Sequence, residues 1–185
     1  GMDSMGYACG ACDARYSVDG GIPRFVPNEA YTSSFGMQWN RHAKAQLDSH
    51  SGQMISRSRL FQVTGWEKEL HGQTILEAGS GAGRFTEVLL GTGADIYSFD
   101  YSNSVEANYA NHGENPRLNL FQASIFDIPF QRGSFDKVIC LGVLQHTHDP
   151  ECAFRELVSM VKPGGEIVID VYRRDVLAMM QWKYL

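Results

Sequence analysis

The sequence predicts an α/β protein: a mostly parallel sheet wound by helices on both faces. Three observations carry that expectation. Five short apolar runs alternate with helix-like runs, a glycine-rich turn follows the first of them, and an aspartate ends the second. Strands that alternate with helices are joined by crossovers, and crossovers make neighbouring strands parallel.

Each element is legible in order. The first strand is expected over 74–78 (TILEA), followed by the turn GSGAG and a helix over 84–90. The second strand is expected over 95–99, a helix over 104–111, the third strand over 118–121 and the fourth over 137–141. The last helix is expected over 151–161, because Pro150 suits a first helical turn and Pro163 cannot continue one. The stretch KPGG reads as a tight turn into a fifth strand over 166–171. On such a sheet, ligands bind outside the carboxyl ends of the strands, where the winding reverses.

The bulk properties bound the rest. A chain of 185 residues, 43% hydrophobic, has enough surface to bury for one domain and too little for two. Residues 1–52 lack a sustained period and read as an N-terminal extension, with 53–185 as the main domain. The stretch GGIPRFVP should run as turns and extended chain, and a helix is expected over 53–64 with Met54, Leu60, Phe61 and Val63 as its apolar face. A net charge of −5 without a basic cluster argues against a nucleic-acid partner. No apolar run approaches a membrane span, and Gly1–Met2 reads as a remnant before a start with no signal peptide, so a cytoplasmic location is expected.

The glycine turn carries the first chemical clue. Glycines at 79, 81 and 83 leave the backbone open to close approach, beside unpaired N–H groups at a helix start. Glu77 stands just before them. A carboxylate there repels a pyrophosphate and attracts an ammonium or sulfonium group. The dinucleotide pattern also fails, since Arg84 occupies its third glycine position. Asp100 ends the second strand about twenty residues on, where nucleoside-binding folds place the carboxylate that takes ribose hydroxyls. A turn or cap role before YSNS is the alternative for Asp100.

From about 75 to 171 the chain resembles the class I S-adenosylmethionine-dependent methyltransferases. ILEAGSGAGRFTEVLL is similar to the family's first motif, IYSFDYS to its second-strand acid and ASIFDIPF to its adenine segment. FDKVICLGVLQHTHDP resembles the fourth-strand segment, and LVSMVKPGGEIVIDVY the last helix, turn and strand. The resemblance implies a Rossmann-like sheet of strand order 3-2-1-4-5, then a terminal antiparallel pair. It implies S-adenosyl-L-methionine as cofactor, S-adenosyl-L-homocysteine as product, and methyl transfer to an acceptor that the sequence does not name. A small-molecule acceptor is favoured because no basic patch is visible.

Roles follow residue by residue from the resemblance. Glu77 would hold the methionine amino group, while Gly79, Ser80 and Gly81 line its backbone and Ala78 and Gly83 complete the turn. Asp100 would bind the ribose, with Tyr101 and Ser102 flanking the adenine. Ser124 and Ile125 would meet the adenine edge, and Leu141 and Gly142 would lie beneath the methionine part. Many members have an acid where this chain has Ser124, so weaker cofactor binding is expected, a hydroxyl being the poorer acceptor.

Methyl transfer needs a base only when the acceptor loses a proton. His146, after the fourth strand, is the candidate, the alternative being a loop histidine that shapes the pocket. Gln145 is similarly placed to supply a hydrogen bond. No metal site is assigned: His146 and His148 lack a third ligand, and Cys9 and Cys12 supply only half of a zinc site. Tyr31, Phe35 and Trp39 share a helical spacing of four and read as core, or as part of a lid over 28–60 that closes the cofactor pocket.

Only residues 172–185 follow the fifth strand, room for a helix but not for two further strands. The terminal antiparallel strands are therefore expected to be missing. The bare edge that results should be covered by a second copy, as a homo-oligomer, or by the chain's own N-terminal segment. Two other functional readings remain open: a non-catalytic module that binds S-adenosylmethionine, and a nicotinamide-dependent oxidoreductase, which Glu77 and Arg84 disfavour.

Overall fold

The computed structural model of the chain describes residues 2–3, 6–10, 14–26 and 44–171. Tyr31, Phe35, Trp39, Cys12, the first part of the expected lid and the expected helix after 172 lie outside them. The N-terminal segment contributes short strands. β1 (Met2–Asp3), β2 (Gly6–Ala8) and β3 (Arg15–Tyr16) form an antiparallel sheet, and β4 (Val18–Asp19) and β5 (Ile22–Pro23) a hairpin. Two helices follow, α1 (Asp48–Ser51) and α2 (Ile55–Thr64).

The regular part then alternates: β6 (Thr74–Ala78), α3 (Arg84–Leu90), β7 (Asp95–Asp100), α4 (Val105–His112), β8 (Leu118–Gln122), β9 (Phe135–Cys140), α5 (Pro150–Ser159) and β10 (Val161–Ile169). All five of these strands pair in parallel, in the order β10-β9-β6-β7-β8. This is the expected 3-2-1-4-5 arrangement read from the other side. The winding runs from β6 towards β8 and resumes at β9, so the reversal lies between β6 and β9.

Period-two alternation divides the strand residues between two cores. Leu76, Phe99, Phe121, Val138 and Cys140 face one side with Leu144, Ala153 and Leu157. Ile75, Ile96 and Ile139 face the other with Leu60, Trp66, Val88 and Leu89. Burial on both faces is why these strands read as apolar runs in the sequence. α5 is amphipathic for the same reason, with Ala153 and Leu157 buried; the Asp149 carboxylate accepts the Cys152 N–H at 2.9 Å and caps its start.

Three expectations need correction. The helix expected over 53–64 begins at Ile55, and Met54 and Val63 are 68% and 43% exposed, so its buried stripe rests on Leu60. The helix expected to reach 161 stops at Ser159, because Val161 pairs with Phe135 and already belongs to β10. β10 therefore starts earlier than 166; its register shifts between Val161 and Glu166, where Gly164 adopts φ +80°.

The described N-terminal residues lie at the β8 edge. Phe25 N donates to Gln122 O at 2.7 Å, Arg24 bridges Gln122, and Ile22 is buried with Val105 and Leu120. β10 forms the opposite edge and pairs only with β9 among the described residues. No helix among the described residues is long and apolar enough to cross a membrane.

Candidate active site

The turn after β6 sits at the winding reversal, and its three glycines meet three different demands. Gly79 has φ +76°, and an added Cβ would lie 2.2 Å from Val143 Cγ2. Its N–H and that of Ser80 both donate to Phe99 O, at 2.8 and 3.0 Å, which folds the turn back across β7. Gly81 has φ +55°, yet a Cβ there would meet no atom of the described residues within 4 Å. Gly83 has φ +92°, and its Cβ would run into Asn108 Oδ1 at 2.4 Å and the His112 ring at 2.6 Å. Gly83 thus lets α4 approach the turn, while the side-chain direction of Gly81 is open among the described residues.

Glu77 is 4% exposed. Its partner in the parallel ladder is Ser98, whose hydroxyl donates to Glu77 Oε2 at 2.7 Å. Thr86, on α3, donates to the same oxygen at 2.6 Å. Burial pushes the Glu77 carboxyl up to about 7 against the pull of these two hydroxyls, and the negative charge of Asp100 adds to the rise. Ala78, beside it, is buried in the core.

Asp100, at the end of β7, spans the turn and the following loop. Oδ2 accepts Gly81 N–H at 2.9 Å, and Oδ1 accepts both the N–H and the hydroxyl of Ser102 at 2.8 Å. Ser102 is buried, whereas Tyr101 is 40% exposed. Gln122 Nε2 donates to Tyr101 O at 2.8 Å and Gln122 Oε1 accepts from Arg24 at 2.9 Å, so the N-terminal segment braces this loop.

The remaining expected residues lie at the ends of β8 and β9. Ser124 Oγ accepts Phe126 N–H at 3.2 Å, and Ile125 is 8% exposed within the core. Leu141 packs partly buried beside Ile139, and Gly142 has φ +74°. His146 is the exposed last residue of a 3-10 turn, Leu144–His146, whose first residue is buried. The His148 ring lies against Phe126, centroids 4.3 Å apart and tilted by 36°. Among the described residues no group of three His, Cys, Asp or Glu side chains could hold a metal.

Several residues here went unread in the sequence. Asp170, just beyond β10, accepts Gly142 N–H and pairs with Arg59 of α2 at 2.6 Å, tying that helix to the end of β9. Thr86 and Ser98 bond Glu77, and Asn108 bonds Thr86 behind it. A signal existed for Ser98, since strands that start level at 74 and 95 set it opposite Glu77. Buried polar atoms that lack a hydrogen-bond partner among the described residues include the Ser80 hydroxyl, Asn108 Oδ1 and both ends of the Gln145 amide. Such orphans are rare in folded proteins and costly unless a ligand or water completes them.

A family model described as a methyltransferase domain matches residues 76–169. The chain belongs to that family. Its methyltransferase domain is 29% identical over 113 residues to the ubiquinone biosynthesis O-methyltransferase of Coxiella burnetii, covering 60% of this chain and 48% of that protein. The chain thus spans about half the length of the curated relatives it matches. Among solved structures, the complex of the Haloferax volcanii Trm112 methyltransferase activator with a methyltransferase superposes with a TM-score of 0.63 at 21% identity, over 82% of this chain and 67% of that one. A Methanococcus maripaludis protein described as S-adenosyl-L-methionine-dependent gives 0.60 at 20% identity, over 86% and 75%. At these identities the likeness is one of fold.

The methyltransferase family implies S-adenosylmethionine, and the residues present fit it. Among the described residues Gly81 leaves space for a nucleoside, Ser80 offers an unpaired hydroxyl beside it, and Glu77 and Asp100 supply two carboxylates. Those two acceptors suit an ammonium and a pair of hydroxyls and oppose a phosphate.

Proposed function

We propose that the chain is the cofactor-binding part of an S-adenosylmethionine-dependent methyltransferase acting on a polar small molecule. The observation that carries this reading is the buried Glu77 carboxylate behind a side-chain-free bend, with Asp100 across from it. The cofactor, when bound, supplies a methyl group already activated by its positive sulfur. The protein's own residues bind, orient and exclude water.

Glu77 receives the methionine ammonium, and that positive neighbour favours the ionised carboxylate, which burial alone disfavours. Asp100 keeps its contacts to Gly81 and Ser102 and still has lone pairs for the ribose hydroxyls, since a carboxylate offers about four acceptor sites. Ala78, Gly79, Ser80 and Gly83 shape the turn; Tyr101 and Ser102 flank the adenine, and Ser124 and Ile125 meet its edge. Leu141 and Gly142 lie beneath the methionine part.

The acceptor reading draws on two supports. The Coxiella relative is named for an O-methylation in ubiquinone biosynthesis, a small-molecule reaction. The Gln145 amide, buried with donor and acceptor both unpaired, suits an acceptor group that gives one hydrogen bond and takes another. His146, two residues after the buried Leu144, is the base if that group loses a proton.

Calorimetry with S-adenosylhomocysteine and NAD tests the cofactor reading. Binding of the first and not the second is expected; the reverse removes the proposal. Release of S-adenosylhomocysteine with phenolic and other hydroxylated acceptors tests the transfer.

A further inference from the structure

We infer that Asn108 is a positioning residue for the cofactor carboxylate: it directs the hydroxyl protons of Thr86 and Ser98 onto Glu77 and so holds that side chain as the acceptor a cationic ligand needs. The inference rests on the role given to Glu77 above, but its test does not depend on that role alone.

Asn108 lies on the inner face of α4 and is 0% exposed. Its Nδ2 is 3.0 Å from Thr86 Oγ1 and 3.5 Å from Ser98 Oγ. An amide nitrogen only donates, so each hydroxyl must accept there and send its single proton elsewhere. For both, the destination is Glu77 Oε2, at 2.6 and 2.7 Å. The two hydroxyls stand 3.4 Å apart and would otherwise be free to bond each other. A chain of donors running from α4 to the carboxylate strengthens along its length and favours the ionised form. The other end of the amide, Oδ1, is buried without a partner against Gly83. The absence of a Cβ at Gly83 is what admits Asn108 to this position, which gives the third glycine of the turn a task behind the site.

Among the described residues, Asp100 of β7 is the ionisable neighbour that acts on Glu77, and its charge opposes ionisation. On α3, Arg84 bonds Ser56 and Glu87 accepts the N–H groups of Asp48 and Ser49. On α4, His112 meets Gly83 O and Glu106 pairs with Arg24. On β9, Lys137 pairs with Glu166, and burial holds the Cys140 thiol protonated, pushed up to about 12.

The test compares Asn108→Leu, which keeps the volume and removes the donor, with the unaltered chain. The Glu77 carboxyl is titrated by carbon NMR in the ligand-free protein, and S-adenosylhomocysteine affinity is measured by calorimetry from pH 5.5 to 9. The carboxyl midpoint is expected to rise by about one pH unit, with affinity about tenfold weaker near pH 6.5 and converging on the unaltered chain's by pH 9. An unmoved midpoint overturns the inference, as does an affinity loss of equal size at every pH, the mark of a merely structural role. If Asn108→Leu does not fold, Thr86→Val removes one of the two hydroxyl donors and must move the midpoint the same way. If the unaltered chain binds no S-adenosylhomocysteine, the cofactor reading fails, and the carboxyl titration still decides the role of Asn108.

Discussion

Replacing Glu77 by glutamine should make the ligand-free protein more stable at alkaline pH while removing its affinity for the cofactor. Burial raises the Glu77 carboxyl from 4.5 to about 7. A raised acid holds its proton in the folded chain after the unfolded chain has lost it, so its contribution is complete below pH 4.5 and fades as pH climbs through 7. At about 1.4 kcal/mol per pH unit, the ionised side chain costs roughly 3 kcal/mol by pH 8.5. That is a sizeable part of the 5–15 kcal/mol that holds a domain folded. Glutamine keeps a carbonyl oxygen to accept from Thr86 and Ser98 and carries no charge. Urea unfolding at pH 5 and pH 8.5 should therefore show the difference between variant and parent growing by roughly 3 kcal/mol in the variant's favour. A difference that is the same at both pH values would refute the reasoning, because the stored cost would then not lie in the charge. In the same preparations, S-adenosylhomocysteine binding should fall at least tenfold.

The glycines of the turn separate stability from binding. Gly81→Ala should cost about 1–2 kcal/mol for its left-handed backbone and meet no neighbour among the described residues, yet reduce S-adenosylhomocysteine affinity strongly in calorimetry. Gly79→Ala adds a clash with Val143 to the same backbone strain and should lower the melting temperature further. Asp100→Ala frees Gly81 N–H and Ser102; weaker nucleoside binding with a folded circular-dichroism spectrum is expected. Asp136 is raised by burial but pulled down further by Lys162 and Thr74, to about 2. Its stabilisation is present above pH 3.8 and lost as pH falls through 2. Asp136→Asn should therefore destabilise by about 1 kcal/mol at pH 7, discounted for partial exposure, and by almost nothing near pH 2 in urea titrations.

Much of the fold was legible because parallel strands buried on both faces need continuous apolar runs, and crossover helices need amphipathic ones. Strand 74–78 and helix 84–90 match β6 and α3 residue for residue. The glycine spacing, Glu77 and Asp100 were legible too, since a close backbone approach and a charge at a strand end are local features. What the sequence left open was set by distance through space. Whether Met54 and Val63 would find a surface to cover depended on where α2 docks. Arg59 and Asp170 stand 111 residues apart and meet only because β10 returns beside β9. Glu77, Thr86, Ser98 and Asn108 come from four elements, and only parallel register and the approach of α4 over Gly83 close them into one network. A carboxylate can be read from a string of letters. Its proton affinity belongs to the neighbours that the folded chain brings within hydrogen-bonding reach.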